Sequence, residues 1–207
     1  MEDEIEIGGE LVVLPLRNAV MFPGSLIPLE IGRARSVVAV ERATAAAGVL
    51  ALVAQKDQAD DSPDMPLFDV GCAARILKVM KLAPDKLVAI VQGLRRIRVL
   101  GVDRTGPCFV ARVETIAEPA GFDDEVALGK AETLRASARR FVEATPGLPR
   151  EAFALLDAMK HPGQLADVVF STFDLASVEA KQRALETIAL VPRLDLALEL
   201  VRRHLQP

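Results

Sequence analysis

The sequence predicts an α+β protein in which a β-rich lobe, residues 1–119, precedes an all-helical lobe, residues 120–207. Short apolar runs fill the first part, and one of them alternates apolar and polar residues as a half-buried strand does. In the second part, apolar residues recur at spacings of three and four, the period of a helix. Because strands precede helices instead of alternating with them, the pattern favours α+β or two subdomains.

Seven apolar runs in the first lobe predict strands. They are residues 11–16, 26–31, 49–55, 74–82, 86–93, 94–102 and 109–116. Pro15 and Pro28 favour edge or bent strands, since proline cannot donate to a ladder. Arg75, Lys78 and Lys81 recur every third residue, which fits neither strand nor helix, so we expect a bulge or a strong bend there.

One helix, residues 34–47, interrupts these strands and ends before Gly48, which favours a helix stop. The acid- and proline-rich stretch 56–66 predicts a solvated loop. Three of its four aspartates, Asp60, Asp61 and Asp64, lack the spacing of a calcium-binding loop.

Apolar stripes and prolines divide the second lobe into helices. The first stripe comprises Ala127, Ala131, Leu134, Ala138 and Phe141. Pro149 and Pro162 are expected to open the next two helices, and Pro192 to end a helix over 178–190. The last stripe continues to the chain end, so we expect that the natural protein extends beyond Pro207.

The chain shows no motif of an active site. A phosphate-binding loop, a G-x-S-x-G elbow and an H-E-x-x-H pair are all missing from the sequence. His161 is expected at a helix entry and His204 in a last turn. Cys72 and Cys108 are either buried, inert thiols or a redox pair on neighbouring strands. We therefore expect no enzyme activity, metal or cofactor in this chain.

Charge and aromatic content argue against a nucleic-acid platform. The net charge is −4, shared evenly between the lobes, and the chain has no Trp and no Tyr. The densest basic run comprises Arg95, Arg96, Arg98 and Arg104. It is either a solvent-exposed strand face or a surface that binds phosphate or a partner. Without a signal peptide or a membrane-length apolar run, the sequence predicts a soluble, cytoplasmic protein.

Apolar residues in two connecting segments are the remaining candidates for function. Met21, Phe22 and Pro23 lie between the first two strands. Met80, Leu82 and Pro84 lie at the tip of a predicted hairpin. Large apolar residues in loops either fold back to the core or are available to a partner, and methionine is frequent on adaptable binding surfaces.

Several long motifs carry a resemblance to a known family. Residues 14–36, LPLRNAVMFPGSLIPLEIGRARS, residues 69–99 and residues 161–170 resemble the N-terminal substrate-binding domain of Lon, the ATP-dependent protease. The resemblance implies a PUA-like pseudo-barrel lobe followed by a helical bundle that leads toward a long helix. It further implies a homohexameric parent protein, a Ser–Lys peptidase whose ATP- and magnesium-binding module lies outside this chain.

The resemblance implies a domain that recognises unfolded, damaged or degron-bearing proteins for degradation in quality control and stress response. Arg33 and Arg35 match a family segment tied to substrate and assembly contacts, although Ala34 stands where relatives often place an acid. The alternative is a free-standing PUA-like module that binds RNA through its arginines, with Arg112 added to the basic run.

Overall fold

The computed structural model describes residues 7, 9–83, 86–148, 151–173 and 175–205. The chain divides into two compact units, Met1–Ile116 and Ala117–Pro207. The first is the strand unit and the second is the helical unit. The sequence placed this change of character between residues 119 and 120.

The strand unit contains six strands and one helix among its described residues. They are β1 Glu10–Leu16, β2 Leu26–Ile31, α1 Ala34–Ala45, β3 Val49–Ala54, β4 Val70–Ala83, β5 Lys86–Asp103 and β6 Phe109–Thr115. Two predicted strands, 86–93 and 94–102, are thus a single long strand, β5. The expected bulge in β4 is confirmed, because the register of β4 against β5 shifts between Ile76 and Lys78 and again between Lys81 and Ala83.

The strands form one sheet that closes on itself, with neighbours in the order β2-β5-β4-β3-β1-β6. The sheet closes because β6 pairs with the last part of β5. The first part of β5 pairs with β2 instead. Only the β1–β3 pair of this described sheet is parallel, and α1 precedes β3 as part of the crossover that parallel pairing needs. This closed ring with an added strand is the pseudo-barrel that the resemblance implied.

Two apolar clusters lie inside the strand unit. One lies among α1 and strands β1 to β5, and includes Leu14, Met21, Val40, Leu50 and Val91. The other lies nearer β6 and includes Val13, Val53, Ile97, Phe109 and Ala111. Alternate residues of β3 pack in different clusters, Leu50 and Leu52 in the first and Val49, Ala51 and Val53 in the second. Both sides of this strand are therefore buried, which accounts for its continuous apolar run.

The helical unit contains five described helices. They are α2 Glu125–Ala144, α3 Glu151–Ala158, α4 Pro162–Thr172, α5 Val178–Glu186 and α6 Leu190–Leu205. The His161 side chain caps α4 by accepting a hydrogen bond from the Gly163 N–H, which confirms the predicted helix entry. We expected Pro192 to end a helix, but it lies in the first turn of α6. Backbone N–H groups in a first turn have no acceptor within the helix, so a proline there costs no hydrogen bond. The expectation for Pro149 falls outside the described residues.

A buried arginine joins several segments of the helical unit. Arg193 on α6 is 0% exposed. Its guanidinium donates to Glu118 Oε1 at 2.7 Å and lies 3.5 Å from the Asp167 carboxylate. It also donates to the carbonyl oxygens of Thr187 and Ile188. Two acids and two carbonyls therefore compensate the burial of this charge, a structural role that the sequence analysis missed.

Candidate functional site

Met21 and Phe22 belong to the interior of the strand unit. Their exposed fractions are 1% and 0%, so of the two alternatives, core or partner contact, these two candidates fold back to the core. Met21 packs within the first apolar cluster. The segment is held in place because the Gly24 N–H donates to the Gly93 carbonyl and the Gly93 N–H donates to Ser25. Pro23, which follows them, is only half-buried.

The tip of the β4–β5 hairpin exposes the other apolar candidates. The described pairing of β4 with β3 ends at Arg75, opposite Val49, and β4 continues for eight more residues. In this extension the exposed fractions are 48% for Leu77, 37% for Met80 and 66% for Leu82. Leu77 and Leu82 are at the register shifts, where a bulged residue has no directly opposed partner. Pro84 lies outside the described residues.

The strand register extends this apolar surface across three strands. Met80 on β4 is opposite Val88 on β5, and Ile90 on β5 is opposite Pro28 on β2. Since directly opposed residues project from the same face, these side chains share the outer face of the sheet, together with the charged residues Glu30, opposite Val88, and Lys78, opposite Ile90. We call this surface the hairpin face, and it comprises Leu26, Pro28, Met80, Val88 and Ile90. The alternate residues of the same strands, such as Ala89 and Val91, pack in the core.

A groove of about 800 Å³ opens elsewhere on the strand unit, between β1, the end of β2, the start of α1 and the loop 56–66. Its lining includes apolar residues from β1 and β2, among them Leu29 and Ile31, together with Phe109. Three guanidinium groups also line it, those of Arg17, Arg33 and Arg35. The groove therefore brings together the two arginines that the resemblance singled out, and adds a third.

Asp61 bridges two of these arginines. Its carboxylate forms an ion pair with Arg17 and lies 3.3 Å from Arg33 Nε. Burial and the nearby charge of Arg17 lower the pKa of Arg33, and Asp61 partly offsets this effect. The sequence analysis assigned Asp61 to a solvated loop and did not consider Arg17. Forty-four residues separate the two along the chain, so no local spacing could have revealed the pair.

Neighbouring residues hold the groove arginines in place. Arg33 donates to the Gln55 side-chain oxygen at 2.9 Å. Arg35 donates to the Arg104 carbonyl oxygen at 3.2 Å and lies over the Phe109 ring. Arg104 in turn donates to the carbonyl oxygens of residues 63 and 65, which fixes the end of the loop. The charged wall of the groove is therefore organised by contacts within the strand unit.

The arginines of the RNA alternative do not form one basic surface. Arg96 is buried, Arg98 pairs with Glu114 at 3.1 Å, and Arg104 binds the loop carbonyls. Arg95 and Arg112 are exposed. Cys72 on β4 and Cys108, which immediately precedes β6, are buried free thiols, and β4 does not pair with β6 in the described sheet.

No group of three or more His, Cys, Asp or Glu side chains in the described part of the chain is placed to hold a metal ion. Among the described helices, none is both long and apolar enough to cross a membrane.

Comparison with known proteins identifies the class to which this fold belongs. The family model of the ATP-dependent protease La (LON) substrate-binding domain matches residues 10–203. A Lon protease of Anaeromyxobacter dehalogenans is 36% identical over 199 residues, which cover 96% of this chain and 24% of the relative. Lon protease 2 of Sorangium cellulosum is 39% identical over 202 residues, covering 94% and 24%.

Solved structures show the same fold. The N-terminal domain of a Mycobacterium avium complex Lon protease superposes with a TM-score of 0.75 at 22% identity, covering 94% of this chain and 99% of that one. A Lon N-terminal domain protein from Xanthomonas campestris gives a TM-score of 0.64 at 19% identity, covering 92% and 97%. The chain belongs to the family of Lon substrate-binding domains, and it spans about a quarter of the length of its curated relatives.

Proposed function

We propose that this chain recognises unfolded, damaged or degron-bearing proteins for degradation by an ATP-dependent serine protease of the Lon type. The family supports a role in binding protein substrates. The exposed apolar residues of the hairpin face and of the β4 extension support the mode of binding. Unfolded chains expose apolar side chains that folded proteins bury, so such a surface favours the unfolded form.

The hairpin face and the β4 extension can make weak contacts that do not depend on a particular sequence in the partner. Their side chains come from different strands and include methionine, which adapts to irregular partners. We further propose that the complete protein is a cytoplasmic homohexamer in which several copies of this surface raise the effective concentration of a bound segment. ATP and magnesium would then act in a module outside this chain.

A double substitution in the β4 extension tests this function. Met80→Ser with Leu82→Ser removes two exposed apolar side chains, and we expect binding of a reduced, alkylated and therefore unfolded protein to weaken by about tenfold. Fluorescence anisotropy measures the affinity, with the native disulfide-bonded form of the same protein as the comparison. Leu100→Ser is the matched control, because Leu100 is also exposed on β5 but lies outside the hairpin face.

Equal affinity for the native and the unfolded protein would contradict the proposal. So would a double variant that binds the unfolded protein as tightly as the wild type. Salt separates this mode from the RNA alternative: nucleic-acid binding should weaken steeply as salt rises, whereas apolar capture should not.

A further inference from the structure

The groove of the strand unit already contains a carboxylate between two guanidinium groups. Asp61 reaches this position from an exposed loop, and its side chain remains 62% exposed while it pairs with Arg17 and Arg33. Exposed ion pairs of this kind contribute little to stability, because solvent screens the two charges. The carboxylate therefore occupies the position without being strongly held there.

Arg33 is held by a contact that does not involve Asp61. Arg33 is fixed by its hydrogen bond to Gln55, a residue that is almost fully buried. Arg17 Nε is buried and has no hydrogen-bond partner among the described residues. A guanidinium can donate five hydrogen bonds, so the pair retains donor capacity when Asp61 is bound. The groove is thus arranged to bind carboxylate oxygens.

Apolar surface adjoins the two guanidinium groups. Leu29, Ile31 and Phe109 contribute to the lining of a groove whose volume, about 800 Å³, is in the range of ligand pockets. The loop that supplies Asp61 also supplies Met65, which is buried in the neighbouring apolar cluster four residues later. One short segment of polypeptide therefore already places an acid and an apolar side chain at this groove.

We propose that the groove binds an acidic segment of another polypeptide, one of whose Asp or Glu carboxylates takes the place of Asp61 between Arg17 and Arg33. An apolar side chain next to that acid then packs on the groove lining. Asp61 acts as an internal competitor that the incoming carboxylate displaces. This inference goes beyond the proposed function, since apolar capture at the hairpin face requires neither the arginines nor Asp61.

A labelled peptide tests the proposal by fluorescence anisotropy. The probe is acetylated and amidated, and it carries one aspartate between apolar residues; a second peptide has asparagine in its place. We expect Asp61→Asn to tighten binding of the aspartate peptide by about two- to fivefold, because the competing carboxylate is gone. Arg33→Gln should weaken it by tenfold or more.

Asp64→Asn is the matched control. Asp64 is exposed on the same loop and its substitution removes the same charge, so it reports the long-range electrostatic effect alone. Thermal unfolding of each variant establishes that the strand unit remains folded. Met80→Ser with Leu82→Ser should leave peptide binding unchanged, which separates failure of this proposal from failure of hairpin capture.

Three results would overturn the proposal. The first is an Asp61→Asn effect no larger than that of Asp64→Asn. The second is equal binding of the aspartate and asparagine peptides. The third is equally tight binding of an asparagine peptide whose only carboxylate is its free C-terminus, which would make the groove a reader of chain ends.

Discussion

Two methionines of the strand unit show how one residue type serves opposite roles. Met21 is packed in the first apolar cluster, whereas Met80 is exposed on the hairpin face. Both lie in apolar segments of the sequence shortly before a proline. What separates them is tertiary: the Met21 segment is fixed to β5 through Gly93, and Met80 lies where β4 has continued past β3.

Substitution of the two methionines by alanine should separate these roles. We expect Met21→Ala to lower the free energy of unfolding of the strand unit by about 2–5 kcal/mol, since it leaves a cavity in the core. Met80→Ala is the matched control and should change it by less than about 1 kcal/mol. Urea unfolding of the strand unit measures both. Similar losses in the two variants would contradict the burial assigned to Met21.

At the scale of the element, the sequence predicted most strands and helices but not how they join. The three-residue spacing of basic residues predicts the irregularity in β4, whereas the register shift in β5 near Gly93 has no such signal in the sequence. The sequence therefore predicts two strands over residues 86–102, although β5 is continuous. Pro192 was misplaced for a similar reason, because proline is equally compatible with the end of one helix and the first turn of the next.

The candidate site was less predictable than the fold. Exposed Met80 and Leu82 follow from a hairpin that can be recognised in the sequence. The groove could not be predicted from the sequence, since Arg17, Arg33 and Asp61 come from three separate segments. Their proximity depends on the closed sheet and on the loop held at its base by the Lys56 N–H, which donates to the Pro66 carbonyl oxygen.

Gly93 is the position at which β5 admits the Phe22 backbone. A Cβ at residue 93 would collide with the Phe22 carbonyl oxygen, whereas a Cβ at Gly101 on the same strand would meet nothing within 4 Å. We expect Gly93→Ala to destabilise the strand unit by about 1–3 kcal/mol or more through overpacking. Gly101→Ala is the control and should have little effect. Thermal unfolding measures both, and equal melting temperatures for the two variants would contradict this packing.

At the scale of the whole molecule, apolar exposure is not confined to the strand unit. The helical unit exposes Phe122 and Val126 near the start of α2, and Leu155 on α3. These residues offer a second location at which an unfolded chain could bind. We place the binding of unfolded proteins on the strand unit, because there the exposed residues form a surface across three paired strands.

Mapping of amide chemical shifts during titration with an unfolded protein tests that claim most directly. The account predicts that the perturbed amides cluster in residues 76–83 and 86–90, with smaller changes along β2. It also predicts that the native form of the same protein leaves these amides unperturbed. Perturbations confined to the helical unit around Phe122 and Val126 would contradict it.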